Sequence, residues 1–234
     1  VPYRHPAVLA KALATIDHVS GGRMECGLGA GWHQQEFDAF GIPFLPIKDR
    51  LDQLEEGVQI VRSMFENERT TFAGKYYRVT DAYSAPKPVQ ARPRIWIGGG
   101  GEKRLLRLVA RYADGWNIPF VAPEVFAQKR EVLDRWCERE KRDPRSILRT
   151  VNLGPAIVER ESELARVEEK LAAQFGSLFP YIRPSMLIGT PQQVIDRIGE
   201  YQRAGAEWVI LALRAPFELE QLELFVERVM PAFA

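Results

Sequence analysis

The chain has 234 residues, 46% of them hydrophobic, and sets 32 Lys plus Arg against 31 Asp plus Glu for a formal charge of +1. That length supports one substantial core, and a single α/β domain over residues 1–234 is the expectation. The charge balance offers no excess to recruit nucleic acid or an anionic membrane surface, and no apolar run approaches the ~20 residues that span a bilayer.

Cys26 and Cys137 are the only cysteines. Neither sits in a CxxC pair and no secretory signal precedes them, which suits a reduced, cytoplasmic setting. The chain opens Val1-Pro2-Tyr3-Arg4-His5-Pro6 without a methionine and is in a helical pattern by Ala7, so it reads as a chain entered partway. From Pro6 to Val19, Val8, Leu9, Ala12, Leu13, Ile16 and Val19 recur at helical spacing, and Ser20-Gly21-Gly22 supplies the stop. Met24 to Ala30 is short, apolar and glycine-rich, suited to a strand buried on both faces. Leu51, Leu54, Val58, Val61 and Phe65 then step by three and four, the seam of a helix packed on one side. Residues 70–93, with Thr70, Thr71, Tyr76 and Tyr77 followed by Pro86, Pro88 and Pro93, read as a hairpin and an extended connection inserted into the domain.

Arg94 to Ile97 predicts a second buried strand, Glu102 to Tyr112 a helix, Asp114 to Ile118 a third strand and Pro123 to Arg142 a helix that stops before Pro144. Leu148 to Val158 predicts a fourth strand, with Gly154-Pro155 inside it, and Glu159 to Lys170 a solvated helix. Thr190 and Pro191 open a helix that ends at Gly205. Trp208 to Leu213 is the fifth strand and Leu219 to Phe233 the last helix. Strand and helix alternate five times after a leading helix, which implies a parallel sheet with right-handed crossovers, either doubly wound or closed as a barrel.

The run Gly98-Gly99-Gly100-Gly101 carries the strongest chemical signal. Between a strand and a helix, glycines let backbone approach a ligand, and the first turn of the helix offers unpaired N–H groups and partial positive charge to a phosphate. Lys103 and Arg104 would add cationic donors; a tight turn with no ligand is the plain alternative. The run is neither GxGxxG with an acidic ribose contact nor a P-loop. Gly27-Leu28-Gly29-Ala30-Gly31-Trp32-His33 is the second signal, at the C-terminal end of a strand, where parallel α/β folds place their sites. Gly29 and Gly31 open space there. Trp32 is either a core aromatic or a ring-stacking group, and His33 either a loop imidazole bonded to backbone or a proton donor. Trp116 and Asn117 end a strand as well, after Asp114, which could cap a local turn. His5, His18 and His33 are the only histidines, none at metal-ligand spacing, so no zinc or iron site is expected. No GxSxG elbow or cysteine–histidine motif appears, so a cofactor is the natural source of reactivity.

Taken together, HPAVLAKALATIDHVSGGR, GLGAGW with EFDAFGIPF, RLDQLEEGVQIVRSMF, PKPVQ, IGGGGEKRLLRLVARYADGWN and LIGTPQQV resemble the luciferase-like monooxygenase superfamily, in its branch of coenzyme F420-dependent oxidoreductases. The motifs occur in family order along the whole chain. The resemblance implies a TIM-type (β/α)8 barrel holding coenzyme F420, or alternatively FMN, at the C-terminal rim for hydride transfer or monooxygenation of a small organic substrate. It also implies a homodimer or higher oligomer. Carried over, Gly98 to Gly101 with Lys103 and Arg104 would hold the cofactor phosphate. Gly29, Gly31, Trp32, Trp116 and Asn117 would approach the ring or the substrate, and His33 is the choice for general acid.

Members of that superfamily begin with three strands before the helix that opens this sequence, so about the first three strands of the barrel are expected to be lacking here. The alternative reading, from another class, is a non-catalytic remnant or assembly subunit that pairs through exposed sheet edges. A sugar-phosphate isomerase or aldolase is disfavoured, because no lysine or carboxylate pair stands clearly at a strand end.

Overall fold

The computed structural model describes residues 2–213, 215 and 218–234. The chain divides into two compact units, one of Val1–Trp116 with Leu133–Ile147 and the other of Asn117–Val132 with Leu148–Ala234.

The first unit opens with α1 (Pro6–Ser20), where the His5 Nδ1 accepts the Ala7 N–H at 3.3 Å and Pro6 takes the first helical position. Its covered face includes the fully buried carboxylate of Asp17. That carboxylate accepts the Met24 N–H at 3.3 Å, the Gln90 N–H at 2.9 Å and the Gln90 Nε2 at 2.8 Å, tying the end of α1 to two later segments. Next come β1 (Cys26–Leu28), the six-residue α2 (Gln34–Ala39) and α3 (Ile47–Glu66). The seam read from the sequence is the covered face of α3: Leu54, Val58 and Val61 are all buried to within 1%.

A hairpin follows, β2 (Arg69–Ala73) against β3 (Arg78–Tyr83), antiparallel as expected. Its turn is fastened to α3 by Glu56, whose carboxylate accepts the N–H groups of Lys75, Tyr76 and Tyr77 at 2.7, 3.0 and 2.9 Å. Then come β4 (Ile95–Gly98) and α4 (Leu105–Tyr112). β4 lies parallel to β1, with Cys26 opposite Ile95 and Leu28 opposite Ile97. β5 (Gly115–Pro119) carries the chain from the first unit into the second, and α5 (Pro123–Arg139) brings it back at Leu133. Both cysteines, Cys26 on β1 and Cys137 on α5, lie outside any disulfide and have no exposure. Burial pushes the Cys26 thiol up to about 12.

In the second unit β6 (Leu148–Ile157) is followed by α6 (Leu164–Phe175), α7 (Phe179–Ile182), β7 (Met186–Gly189), α8 (Pro191–Arg203), β8 (Trp208–Leu211) and α9 (Leu219–Leu224). β6 takes two parallel partners along its length. Thr150 to Leu153 pair with Trp208 to Leu211, and Gly154 to Ile157 pair with Met186 to Gly189. The exchange falls at Gly154-Pro155, where proline lacks the N–H that would continue one ladder.

Four elements differ from expectation. β7, the run Met186-Leu187-Ile188-Gly189, is a parallel strand beyond the five anticipated. α2 and α7 lie in stretches whose six and four residues give no helical repeat. The last helix is α-helical only over Leu219–Leu224, then widens over Phe225–Val229 and tightens over Met230–Phe233 beside Pro231, which has no N–H to carry an α-helix on.

Candidate cofactor site

Two glycine-bearing strand ends come together in the first unit. Since Leu28 pairs with Ile97, Gly29 and Gly98 leave the paired strands at the same end. β4 buries Ile95 and Ile97 completely and then enters the glycine run. Gly99 has φ +127°, and a Cβ there would stand 3.2 Å from Leu105 Cδ1, so only glycine serves at this turn. The Gly99 carbonyl accepts the Trp116 indole N–H at 2.8 Å, and the Gly101 carbonyl accepts the Leu106 N–H at 3.0 Å as α4 begins. Lys103 is exposed just ahead of α4. Arg104 turns instead to α3, where it pairs with the Asp52 carboxylate and donates to the Lys48 carbonyl at 3.2 Å.

At the end of β1, a Cβ on Gly29 would meet nothing within 4 Å, so this backbone faces open space. Gly31 has φ +78°, and a Cβ there would fall 2.5 Å from the Phe37 ring. The turn is anchored by Arg50 of α3, a buried guanidinium that donates to the Gly31 carbonyl, donates to the Leu45 carbonyl at 2.8 Å and stacks 4.0 Å from the Phe44 ring centroid. Beyond it Trp32 is 83% exposed, so it is not a core aromatic. His33 precedes α2 and receives the Glu36 N–H on its backbone carbonyl at 3.1 Å. Its imidazole makes no cap hydrogen bond and lies 5.1 Å from the Trp32 ring, tilted by 53°.

Trp116 and Asn117 point to opposite faces of β5, as neighbours on a strand must. Trp116 is fully buried behind the glycine run. Asn117 belongs to the second unit, where its Nδ2 donates to Thr150 Oγ1 at 2.8 Å and Asn152 Oδ1 at 2.9 Å across to β6. Asp114 holds the start of the strands, pairing with Arg62, accepting the Ile95 N–H at 2.9 Å and meeting Arg92 at 3.3 Å. The second unit also holds a cavity of about 630 Å³ lined mainly by apolar groups, among them Phe120, Leu171, Phe175, Met186 and Leu222. The Lys170–Glu218 ion pair, at 2.7 Å, sits on its wall.

Sequence reading missed Arg50 and Asp52. Both fall at helix positions that charge alone assigns to solvent, and nothing local marks one as buried or the other as the partner of Arg104. Among the described residues no cluster of His, Cys, Asp and Glu is arranged to hold a metal ion, and no helix is long and apolar enough to cross a membrane.

Parallel strands joined by helices, with glycine turns at two strand ends, define an α/β protein with a parallel sheet. A model of the luciferase-like monooxygenases matches residues 1–185, and the chain belongs to that family. The FMNH(2)-dependent dimethylsulfone monooxygenase of Pseudomonas putida is 29% identical over 261 residues, taking in 97% of this chain and 70% of that protein. The F420-dependent glucose-6-phosphate dehydrogenase of Intrasporangium calvum is 25% identical, taking in 97% of this chain and 75% of that protein. Among solved structures, an F420-dependent secondary alcohol dehydrogenase in complex with an F420-acetone adduct shares the fold. Its TM-score is 0.84 over 98% of this chain and 75% of that one, at 20% identity.

Proposed function

We propose that this chain binds coenzyme F420, with FMN as the alternative, and serves an oxidoreductase of the luciferase-like type that transfers hydride to, or inserts oxygen into, a small organic substrate. The observation that carries this reading is the glycine run, held between β4 and α4 beside the open end of β1, in a member of a family whose relatives are named for both cofactors. The residues fit a phosphate: Gly99 exists in a conformation other residues avoid, the helix start supplies N–H donors, and Lys103 supplies an exposed positive charge. Arg104, engaged by Asp52, acts by fixing the start of α4 against α3.

Bound there, either cofactor supplies a tricyclic ring that accepts or donates two electrons. Gly29 leaves room for a flat ligand at the end of β1, and Gly31 lets the turn close against Phe37. Trp32 offers an exposed ring face, and His33, held at the start of α2, is the group we assign to proton donation. The strands and helices are read as parts of a TIM-type barrel.

Absorbance titration of the full chain with F420 and with FMN tests the reading; binding of neither at micromolar concentration would overturn it. The His33→Gln chain is expected to keep cofactor affinity while oxidation of the reduced cofactor by substrate slows about a hundredfold, the lower end of what a general acid contributes. Unchanged turnover would remove His33 from the assignment.

A further inference from the structure

The buried side of the glycine run shows how its exposed side is set. Trp116 has no exposure, and its indole Nε1–H donates to the Gly99 carbonyl at 2.8 Å. The Gly99–Gly100 peptide is trans, so the Gly99 C=O and the Gly100 N–H point in opposite directions. A carbonyl drawn inward to the indole therefore turns the Gly100 N–H away from Trp116, and Gly100 itself is half-buried beside the exposed Gly101. Gly99 can reach this orientation because φ +127° is available to it, and Leu105, whose Cδ1 would lie 3.2 Å from any Cβ, closes off substitution from the helix side. Packing alone does not call for an N–H at 116. The N–H is what an aliphatic or phenyl side chain could not supply.

The geometry points to Trp116 as a positioning residue of the phosphate site: acting through the Gly99 carbonyl, it fixes the direction in which the Gly100 N–H is offered to a phosphate oxygen. This rests on the reading of the glycine run as a phosphate cradle. Without the indole donor the Gly99–Gly100 peptide is free to rotate, and the donor is presented only part of the time. The consequence is selective, since the phosphate-bearing form of a cofactor loses affinity while the bare ring does not.

The test compares FMN with riboflavin, which differ only by the phosphate. Their dissociation constants are measured by flavin fluorescence on the full chain, on Trp116→Phe, and on a chain carrying benzothienylalanine at 116, which keeps the bicyclic shape but has no N–H. Circular dichroism establishes that each is folded, and the benzothienyl chain decides the matter if the phenylalanine variant is not. The same comparison is made with F420 and its phosphate-free deazaflavin ring.

The wild type is expected to favour FMN, and both substituted chains to bind FMN about tenfold more weakly with riboflavin unchanged, the worth of one hydrogen bond to a charged group. An unchanged preference for FMN, or an equal loss for both ligands, would overturn the positioning role and leave Trp116 as packing. A wild type that prefers neither FMN to riboflavin nor F420 to its bare ring would instead bring down the phosphate reading of the glycine run itself.

Discussion

Asp17 shows how much one side chain can organise. Burial opposes its ionisation, but the backbone and side-chain N–H groups of Gln90 and the N–H of Met24 outweigh it and hold the carboxyl below the usual carboxylate range. A carboxylate whose pKa is depressed on folding contributes stability that is complete above its unfolded value, about 3.9, and is lost as pH falls through the folded value. Asp17→Asn presents an NH₂ to these donors, and is expected to cost about 2 kcal/mol at neutral pH, with the gap to wild type closing below about pH 4. Urea unfolding across that range checks this, and a gap independent of pH would show that the charge is not what matters. The sequence counted Val8, Ile16 and Val19 among the apolar residues that recur at helical spacing, yet they are 65%, 52% and 85% exposed while Asp17 is buried. Periodicity counts apolar residues and cannot register a carboxylate whose partners lie 7 and 73 residues away.

Among the elements, α3 and α4 had inner faces that were legible, and α3 is the longer. Its seam of Leu51, Leu54, Val58, Val61 and Phe65 is buried as spaced, because a long helix packed on one side leaves a repeat that local sequence preserves. Leu54→Ala is expected to cost about 2–5 kcal/mol in chemical unfolding, against at most about 0.5 kcal/mol for Ile47→Ala at the exposed start of the same helix. Comparable losses at both positions would mean that α3 does not bury the face described. The parallel strands were legible for the same reason, as short apolar runs closed by glycine. β7 was passed over although it too is a short apolar run closed by glycine, and the roles of Arg50 and Asp52 were not legible because they depend on a turn and a helix start far away in the chain. The site divides along this line. Its glycines were readable because backbone conformation restricts residue type at the position itself, whereas the aim of a side chain was not. Arg104 goes to Asp52, and Trp116, expected to approach the ring or the substrate, is fully buried behind the glycine run.

At the scale of the whole molecule, the placement of the two thiols has a use. Cys26 and Cys137 are both fully covered, both lie in the unit that carries the glycine run, and no other cysteine competes with them. A thiol reagent can therefore modify the folded chain only when that unit opens, and burial holds Cys26 as the unreactive thiol until it does. Labelling becomes a clock for opening. A cofactor seated on the glycine run at a hundred times its dissociation constant stabilises the closed state by about 2.7 kcal/mol, and should slow modification about a hundredfold where opening releases it. Mass spectrometry of the two cysteine peptides over time would read this without any knowledge of the substrate, and labelling that ignores saturating F420 and FMN alike would show that neither ligand is held there. If a cofactor is held there, the chain carries its own reporter of occupancy, written in the chemistry of two buried thiols.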